Sequence, residues 1–358
     1  MSPSVVLAGG GTTGHVGPLL ALADCLRRDD PETEITVLGT AEGLEATLVP
    51  AAGYPLRFIP RVPLPRHVTT DVLHLPQRLT QAVTIASKVV QNADVLVGFG
   101  GYVAAPAYLA ARRHSTPIVV HEANARPGLA NQLGARLTRH VAVTFPDTPL
   151  PHARVIGMPL RRQITTLDRA AQRKSARVHF GLKPDLLTLF VTGGSTGAQH
   201  LNDTFGQAAQ ALIRAGVQVL HTTGRGKSVT FPDGGPPSGY VVAEYLDRMD
   251  LAYAAADLVV CRSGAGNVSE VTALGLPAAY VPLHYGNGEQ KLNAEAVVAA
   301  GGGLLVDNQD CTPAWVLGTL LPLLQDPDRL ATMGRAAARF GVLDADERLA
   351  DLVRAAAG

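Results

Sequence analysis

A chain of 358 residues, 46% hydrophobic and 17% charged, has the composition of a folded protein long enough for two domains, which excludes disorder. Its formal net charge of +1 excludes a globally basic nucleic-acid binder, so partners must be sought in local clusters. Cys25, Cys261 and Cys311 lie far apart with no Cys-x-x-Cys spacing, which excludes a disulfide framework or zinc site and leaves buried thiols as the expectation.

Met1-Ser2-Pro3-Ser4 carries no basic segment, and the apolar run after it is too short for a signal peptide. No later run of about 18 apolar residues could span a bilayer, so the cytoplasm is the expected compartment. Strand-like runs at 5–8, 34–38, 94–97 and 118–120 alternate with helix-like runs at 15–28, 77–91 and 104–113. That is βαβ alternation and predicts a parallel sheet.

The first strand feeds Ala8-Gly9-Gly10-Gly11-Thr12-Thr13-Gly14-His15, a glycine loop that opens a helix. Its backbone N–H groups, aligned with the helix dipole, suit a phosphate. Gly9-x-Gly11-x-x-Gly14 also satisfies the dinucleotide pattern, but the second strand ends in Gly39-Thr40 instead of the acid that receives an adenosine ribose. A nicotinamide or flavin cofactor is therefore not expected. His15 stands where it can face a ligand as a general base, its pKa lowered by the helix N-terminus, or can simply cap and pack its helix. The loop alone leaves both open.

Arg57, Arg61, Arg66, Arg78 and Lys88 stand against a single acid, Asp71, interleaved with Leu64, Leu73, Leu75, Leu79, Val83 and Ile85. Such a surface can rest on anionic lipid. Leu79, Ala82, Val83, Ala86 and Val90 equally have the spacing of an ordinary core-facing helix. Gly98-Phe99-Gly100-Gly101-Tyr102 is a second phosphate-compatible loop, and His121-Glu122-Ala123-Asn124 with Asn131 forms a polar cluster after the next strand.

After Val155-Ile156-Gly157-Met158-Pro159 and a polar stretch at 161–174, the alternation restarts with a strand at 186–191 and the loop Thr192-Gly193-Gly194-Ser195-Thr196-Gly197. Ala93-Asp94-Val95-Leu96-Val97-Gly98 is echoed by Ala256-Asp257-Leu258-Val259-Val260-Cys261, and the strand before Asn124 and Asn131 by the one before Asn287 and Asn293. Three matched strand-to-loop junctions predict two halves of one topology. The expected architecture is α/β: two Rossmann-like domains, 1–160 and 161–344, their loop rows facing each other across a cleft. Helices are expected at 313–324, 326–340 and 346–357, the last packing back on the first domain through 345–358.

In the second half, Arg262-Ser263-Gly264-Ala265-Gly266-Asn267-Val268-Ser269-Glu270 leads small residues into a helix bearing a carboxylate. Glu270 suits both hydroxyls of a ribose, or else stabilises the helix dipole. Glu289-Gln290-Lys291-Leu292-Asn293 suits sugar hydroxyls, or is a polar helix start. Ser195 can donate to a phosphate, and Arg161 can set a cation near it or be a solvated surface residue. No Asp-x-Asp stands at a strand end, so loop amides and a helix dipole, not a metal, are expected to stabilise a leaving phosphate.

Along essentially its whole length, through six ordered motifs, the chain resembles the MurG glycosyltransferases of peptidoglycan synthesis. The resemblance implies a two-domain GT-B fold and metal-independent, inverting transfer of N-acetylglucosamine. UDP-N-acetylglucosamine is the implied donor and the 4-hydroxyl of the undecaprenyl-diphosphate-linked N-acetylmuramoyl-pentapeptide, lipid I, the implied acceptor, giving lipid II and UDP without a cofactor. It implies His15 as general base. Thr12, Thr13, Gly14, Asn124, Arg161, Ser195, Leu246, Ala265, Gly266, Asn267, Val268, Ser269, Glu270 and Gln290 are the implied donor contacts. Gly10, Gly11, Gly100, Gly101, Tyr102 and Asn131 are the implied acceptor contacts. It further implies a peripheral position on the anionic cytoplasmic face of the membrane, proteins of cell-wall synthesis as partners, and no nucleic acid. Thr13, Ala123, Met158 and Glu289 depart from the commonest pattern of the family. A nucleotide-sugar epimerase or another GT-B transferase shares the fold, and a silent sugar-nucleotide sensor is the non-enzymatic alternative, against which His15 and Glu270 speak.

Overall fold

Val5, Leu7, Val37 and Val97 are fully buried, because the strands that carry them are covered on both faces, as parallel sheets require. The computed structural model describes residues 3–62, 75–194, 197–283 and 288–358. It divides into two compact units, Met1–Arg161 with Leu343–Gly358, and Arg162–Val342.

The first unit runs β1 (Ser4–Gly9), α1 (Thr13–Asp29), β2 (Glu34–Gly39), α2 (Glu45–Ala51), β3 (Leu56–Phe58), α3 (Leu75–Val90), β4 (Val95–Gly100), α4 (Gly101–His114), β5 (Ile118–Glu122), α5 (Leu129–Ala135), β6 (His140–Val143) and β7 (Ala153–Val155). Its seven strands lie in the order β3-β2-β1-β4-β5-β6-β7, paired in parallel. The strand order reverses between β1 and β4, so the glycine loops that follow these two strands open on the crevice where such sheets bind ligands. α3 turns Ala82, Ala86 and Val90 into the core beneath α4 and leaves Arg78 and Lys88 exposed, the ordinary amphipathic arrangement. Arg66, Leu64, Asp71 and Leu73 lie outside the described residues.

The second unit runs α6 (Arg162–Thr165), α7 (Arg169–His179), β8 (Leu187–Thr192), α8 (Gln199–Arg214), β9 (Val217–Thr222), β10 (Tyr240–Ala243), α9 (Met249–Ala255), β11 (Leu258–Cys261), α10 (Ala265–Ala273), β12 (Ala278–Tyr280), α11 (Glu289–Ala299) and β13 (Gly303–Leu305). Its order, β10-β9-β8-β11-β12-β13, repeats that of the first six strands of the other sheet, with the reversal between β8 and β11. The polar stretch after residue 161 contains a helix, α7, that its composition hides. Asp168 caps it by accepting from Ala171 N–H at 3.0 Å. Buried Arg177 then donates to Asp257 Oδ2 at 2.7 Å, and Asp257 also accepts from Thr188 N–H.

The helix expected at 313–324 is broken into α12 (Pro313–Trp315), a π-turn at Val316–Leu320 and α13 (Leu321–Leu324). Leu321 N–H donates to Val316 O, five residues back, and Pro322, having no N–H, cannot restore the α-helical ladder. α14 (Pro327–Ala338) follows, and α15 (Ala345–Ala357) returns to the first unit, where Leu349, Ala350, Leu352 and Val353 join Val5, Leu7, Leu19 and Leu22 in one core. All three cysteines are buried and unpaired. Among the described residues no helix is long and apolar enough to cross a membrane.

Candidate active site

Gly11, at φ +90°, turns the chain from β1 into α1, and Thr12, extended, is the residue before the helix. Thr12 leaves its own helix uncapped. Its hydroxyl lies instead 3.2 Å from His15 Nδ1, which is also 3.0 Å from Gly10 O. A carbonyl oxygen only accepts, so in the neutral ring the proton sits on Nδ1 and Nε2 keeps its lone pair. Burial lowers the His15 pKa, outweighing Glu122, the Gly10 carbonyl and Glu45, each of which raises it. The ring is thus neutral near pH 7. The direction is the one expected, but burial produces it and not the helix N-terminus.

Gly100 (φ +94°) and Gly101 (φ +78°) bring the β4–α4 loop against the same ring. A Cβ on Gly100 would lie 3.1 Å from His15 Nε2, and one on Gly101 would lie 2.5 Å from Gly10 O. These two glycines therefore form a wall that seats His15. Gly101→Ala is expected to cost at least about 2 kcal/mol, from its left-handed backbone and from displacing the Gly10 carbonyl, and to lower turnover as well. Urea unfolding and kcat check this together; an alanine variant of wild-type stability and activity would reject the wall. Tyr102 is exposed on the first turn of α4, with the Arg61 guanidinium 4.3 Å above its ring.

The first glycine loop is not a free phosphate cradle. Gly11 N–H donates to Glu45 Oε2 at 2.7 Å, while Glu45 Oε1 accepts from Thr40 N–H at 2.9 Å and from the Thr40 hydroxyl at 2.8 Å. Glu45 is completely buried, and any Cβ at Gly10, Gly39 or Gly43 would strike its side chain. An acid does stand near the end of β2, but it is turned inward. The Gly11 N–H is thus engaged within the protein, while the amides of Thr13 and Gly14, in the first turn of α1, have no acceptor within their own helix.

Asn131 acts in the fold as a strut. It is buried, accepts from Tyr108 OH at 2.8 Å, and donates to His121 O and to Glu122 Oε2. Glu122 also accepts from Asn124 N–H at 2.9 Å and Gly128 N–H at 3.0 Å, which fixes the loop that presents Asn124 half-buried. His121 donates through Nε2 to Gly157 O, and burial pushes its pKa down to about 4.

In the second unit, Ser195 lies outside the described residues. Gly193 and Gly197 are fixed by packing: a Cβ would strike Ala198 N at 2.2 Å from the first and Thr223 O at 2.1 Å from the second. α10 begins after Gly264 with no side-chain cap and no acid in its first turn, and the space beside Gly264 and Gly266 is open. The amides of Ala265, Gly266 and Asn267 have no acceptor within their own helix, as suits a diphosphate. Val268 is buried, and Ser269 is half-buried beside Glu270.

Glu270 is the sixth residue of α10, counting from Ala265, and so lies beyond the turn where the dipole acts. Its Oε2 accepts from the buried Tyr253 hydroxyl at 2.7 Å. That bond fixes the carboxylate at the face of α10. Gln290 Oε1 accepts from Leu283 N–H at 3.0 Å, so its amide nitrogen is the end suited to a sugar. Asn293 is buried and donates to Ser263 O. Leu246 is half-buried in the loop before α9, and Arg161 is exposed at the end of the first unit's long segment. Among the described residues no group of three or more His, Cys, Asp or Glu is placed to hold a metal ion.

Residues 5–143 match the glycosyltransferase family 28 N-terminal domain and residues 188–349 the family's C-terminal domain. The chain belongs to glycosyltransferase family 28. A relative from Streptomyces avermitilis, named UDP-N-acetylglucosamine--N-acetylmuramyl-(pentapeptide) pyrophosphoryl-undecaprenol N-acetylglucosamine transferase, is 57% identical over 98% of this chain and 97% of its own. A relative of the same name from Nocardioides is 56% identical over 98% and 97%. The crystal structure of Acinetobacter baumannii MurG is 26% identical, with a TM-score of 0.79 over 99% of both chains. This family 28 chain is of the MurG type, with the two parallel-sheet domains of the GT-B architecture.

Two side chains that shape the family 28 site escape the sequence pattern. Glu45 stands beyond the strand end where an acid is sought, and only the spacing of Gly39 and Gly43 around it hints at a packed carboxylate. Tyr253 sits in an alanine-rich helix and carries no motif at all.

Proposed function

We propose that this chain transfers N-acetylglucosamine from UDP-N-acetylglucosamine to the 4-hydroxyl of the N-acetylmuramoyl residue of lipid I, with inversion, releasing UDP and lipid II. The observation that carries this reading is the seating of His15: a neutral imidazole with Nδ1 bonded to Gly10 O and the Nε2 lone pair available, at the strand reversal of the first sheet. Support for the substrates comes from the names of relatives above 50% identity.

In the displacement, Nε2 of His15 takes the proton of the acceptor hydroxyl as that oxygen forms its bond to the anomeric carbon. The bond from that carbon to the UDP oxygen breaks, and its electron pair leaves on UDP. The first-turn amides of α10 are the groups suited to the departing diphosphate, Glu270 to the ribose, and Gln290 to the N-acetylglucosamine. Thr12, Thr13, Gly14 and Asn124 line the reaction centre, Leu246 offers backbone to uracil, and Arg161 and Ser195 complete the UDP contacts. Gly100, Gly101 and Tyr102 take the acceptor side.

Exposed Arg57, Phe58 and Arg61 suit a lipid-linked acceptor and a peripheral seat on the anionic cytoplasmic face of the membrane. The test mixes purified protein, UDP-N-acetylglucosamine and a lipid I analogue with chelator present. Acceptor-dependent disaccharide in a β-1,4 link is the expected product. UDP release independent of acceptor would point to hydrolysis or epimerisation, and no release at all to a silent module.

A further inference from the structure

Gly10 O and Gly11 N–H belong to one peptide group. On one side the Gly11 N–H donates to Glu45 Oε2 at 2.7 Å; on the other the Gly10 oxygen accepts from His15 Nδ1 at 3.0 Å. The Gly10–Gly11 peptide is trans, so the two bonds leave it in opposite directions, in line with its dipole. We infer that Glu45 is a positioning residue for His15, its carboxylate acting on the imidazole through the single Gly10–Gly11 peptide group.

Glu45 accepts three hydrogen bonds, from Gly11 N–H, Thr40 N–H and the Thr40 hydroxyl, a donor set that favours the carboxylate's charged form against the cost of its burial. A negative charge at the N–H end polarises the peptide and strengthens the carbonyl as an acceptor, because hydrogen bonds in a chain reinforce one another at low dielectric. The carbonyl then holds the Nδ1–H tautomer before reaction and stabilises the imidazolium that forms once Nε2 has taken a proton. A carboxylate in direct contact with a histidine does the same; here one peptide stands between them. The glycines explain why the device fits, since a Cβ at Gly10 would occupy the carboxylate's place and one at Gly101 would push the carbonyl aside.

The other ionisable groups facing the ring are Glu122 at the end of β5, which raises its pKa, and His121 beside it. Glu122 makes its recorded bonds to Asn124, Gly128 and Asn131, none to the imidazole. Glu45 is the carboxylate linked to the ring through one peptide.

The inference rests on His15 acting as the base, and its test has an arm that does not. In Glu45→Gln, loss of the charge is expected to move the acidic limb of kcat/KM toward lower pH by about half to one unit, because His15 loses a group that raises its pKa. Turnover is expected to fall by about tenfold while KM for UDP-N-acetylglucosamine holds within about twofold. A limb that stays at the wild-type pH overturns the inference, whatever the loss of rate. The second arm needs neither substrate nor variant: in the wild-type protein, the Gly11 amide proton should lie far downfield and shift along the His15 titration followed by imidazole nitrogen resonances. A Gly11 amide blind to that titration overturns the inference even if Glu45→Gln fails to fold. A protein that transfers no sugar but shows the coupled titration would refute the transferase reading and leave the coupling standing.

Discussion

His15→Ala lowers kcat by about 100- to 10,000-fold, the usual worth of a placed general base, and leaves KM for UDP-N-acetylglucosamine close to wild type. The loss is expected on kcat because His15 lies in the first unit, while the groups proposed for the nucleotide lie mostly in the second. The pH profile supplies the sign. Burial lowers the His15 pKa from 6.5, so the wild-type kcat/KM rises through a midpoint below that value and is flat above it. In His15→Ala that limb disappears. Near-normal turnover in the variant would reject His15 as the base, and a wild-type limb centred above 6.5 would reject the half-buried neutral ring.

Glu270→Ala produces the converse pattern. A carboxylate accepting from ribose hydroxyls is worth about 1.5–3 kcal/mol per charge-assisted bond, so one bond lost raises KM for UDP-N-acetylglucosamine by about 10- to 150-fold. Turnover at saturating donor changes little. Tyr253→Phe removes only the hydroxyl that fixes the carboxylate and raises the same KM by less than about tenfold. Isothermal titration with UDP separates this from a folding defect. Unchanged affinity in Glu270→Ala would make Glu270 no more than an acceptor for Tyr253.

The fold class was legible because two independent patterns agree, the βαβ alternation and the echo between the halves. The strand order common to both sheets is the physical form of that echo. What escaped has particular causes. β3, Leu-Arg-Phe, is a three-residue edge strand with one face in solvent, so no apolar run marks it. α7 is concealed by its arginines: Arg173 and Arg177 pair with Asp257 and Arg169 donates to the carbonyls of Tyr253, Ala256 and Leu274, all far along the chain. At the site, His15, Glu270 and Gln290 follow from motif position, because each stands at a strand-to-helix junction. Their supports do not: Glu45, Tyr253 and the amide of Asn131 act through contacts between elements distant in sequence, and buried hydrogen bonds leave no periodic trace. Gly10 and Gly11 show the limit most clearly. Their spacing promises a phosphate cradle, while three-dimensional packing fills it with a carboxylate.

The second unit is inserted into the first, whose last helix is contributed by the final residues of the chain. On the ribosome the order of completion is therefore reversed with respect to synthesis. Residues 162–342 emerge as an uninterrupted unit and can close their core while the earlier-made residues still lack Leu349, Ala350, Leu352 and Val353 to cover Leu19 and Leu22. Until residues 345–357 have been made, the unit that bears His15 keeps an uncovered apolar groove, so a chain cut short before them joins a finished second unit to an unfinished first one.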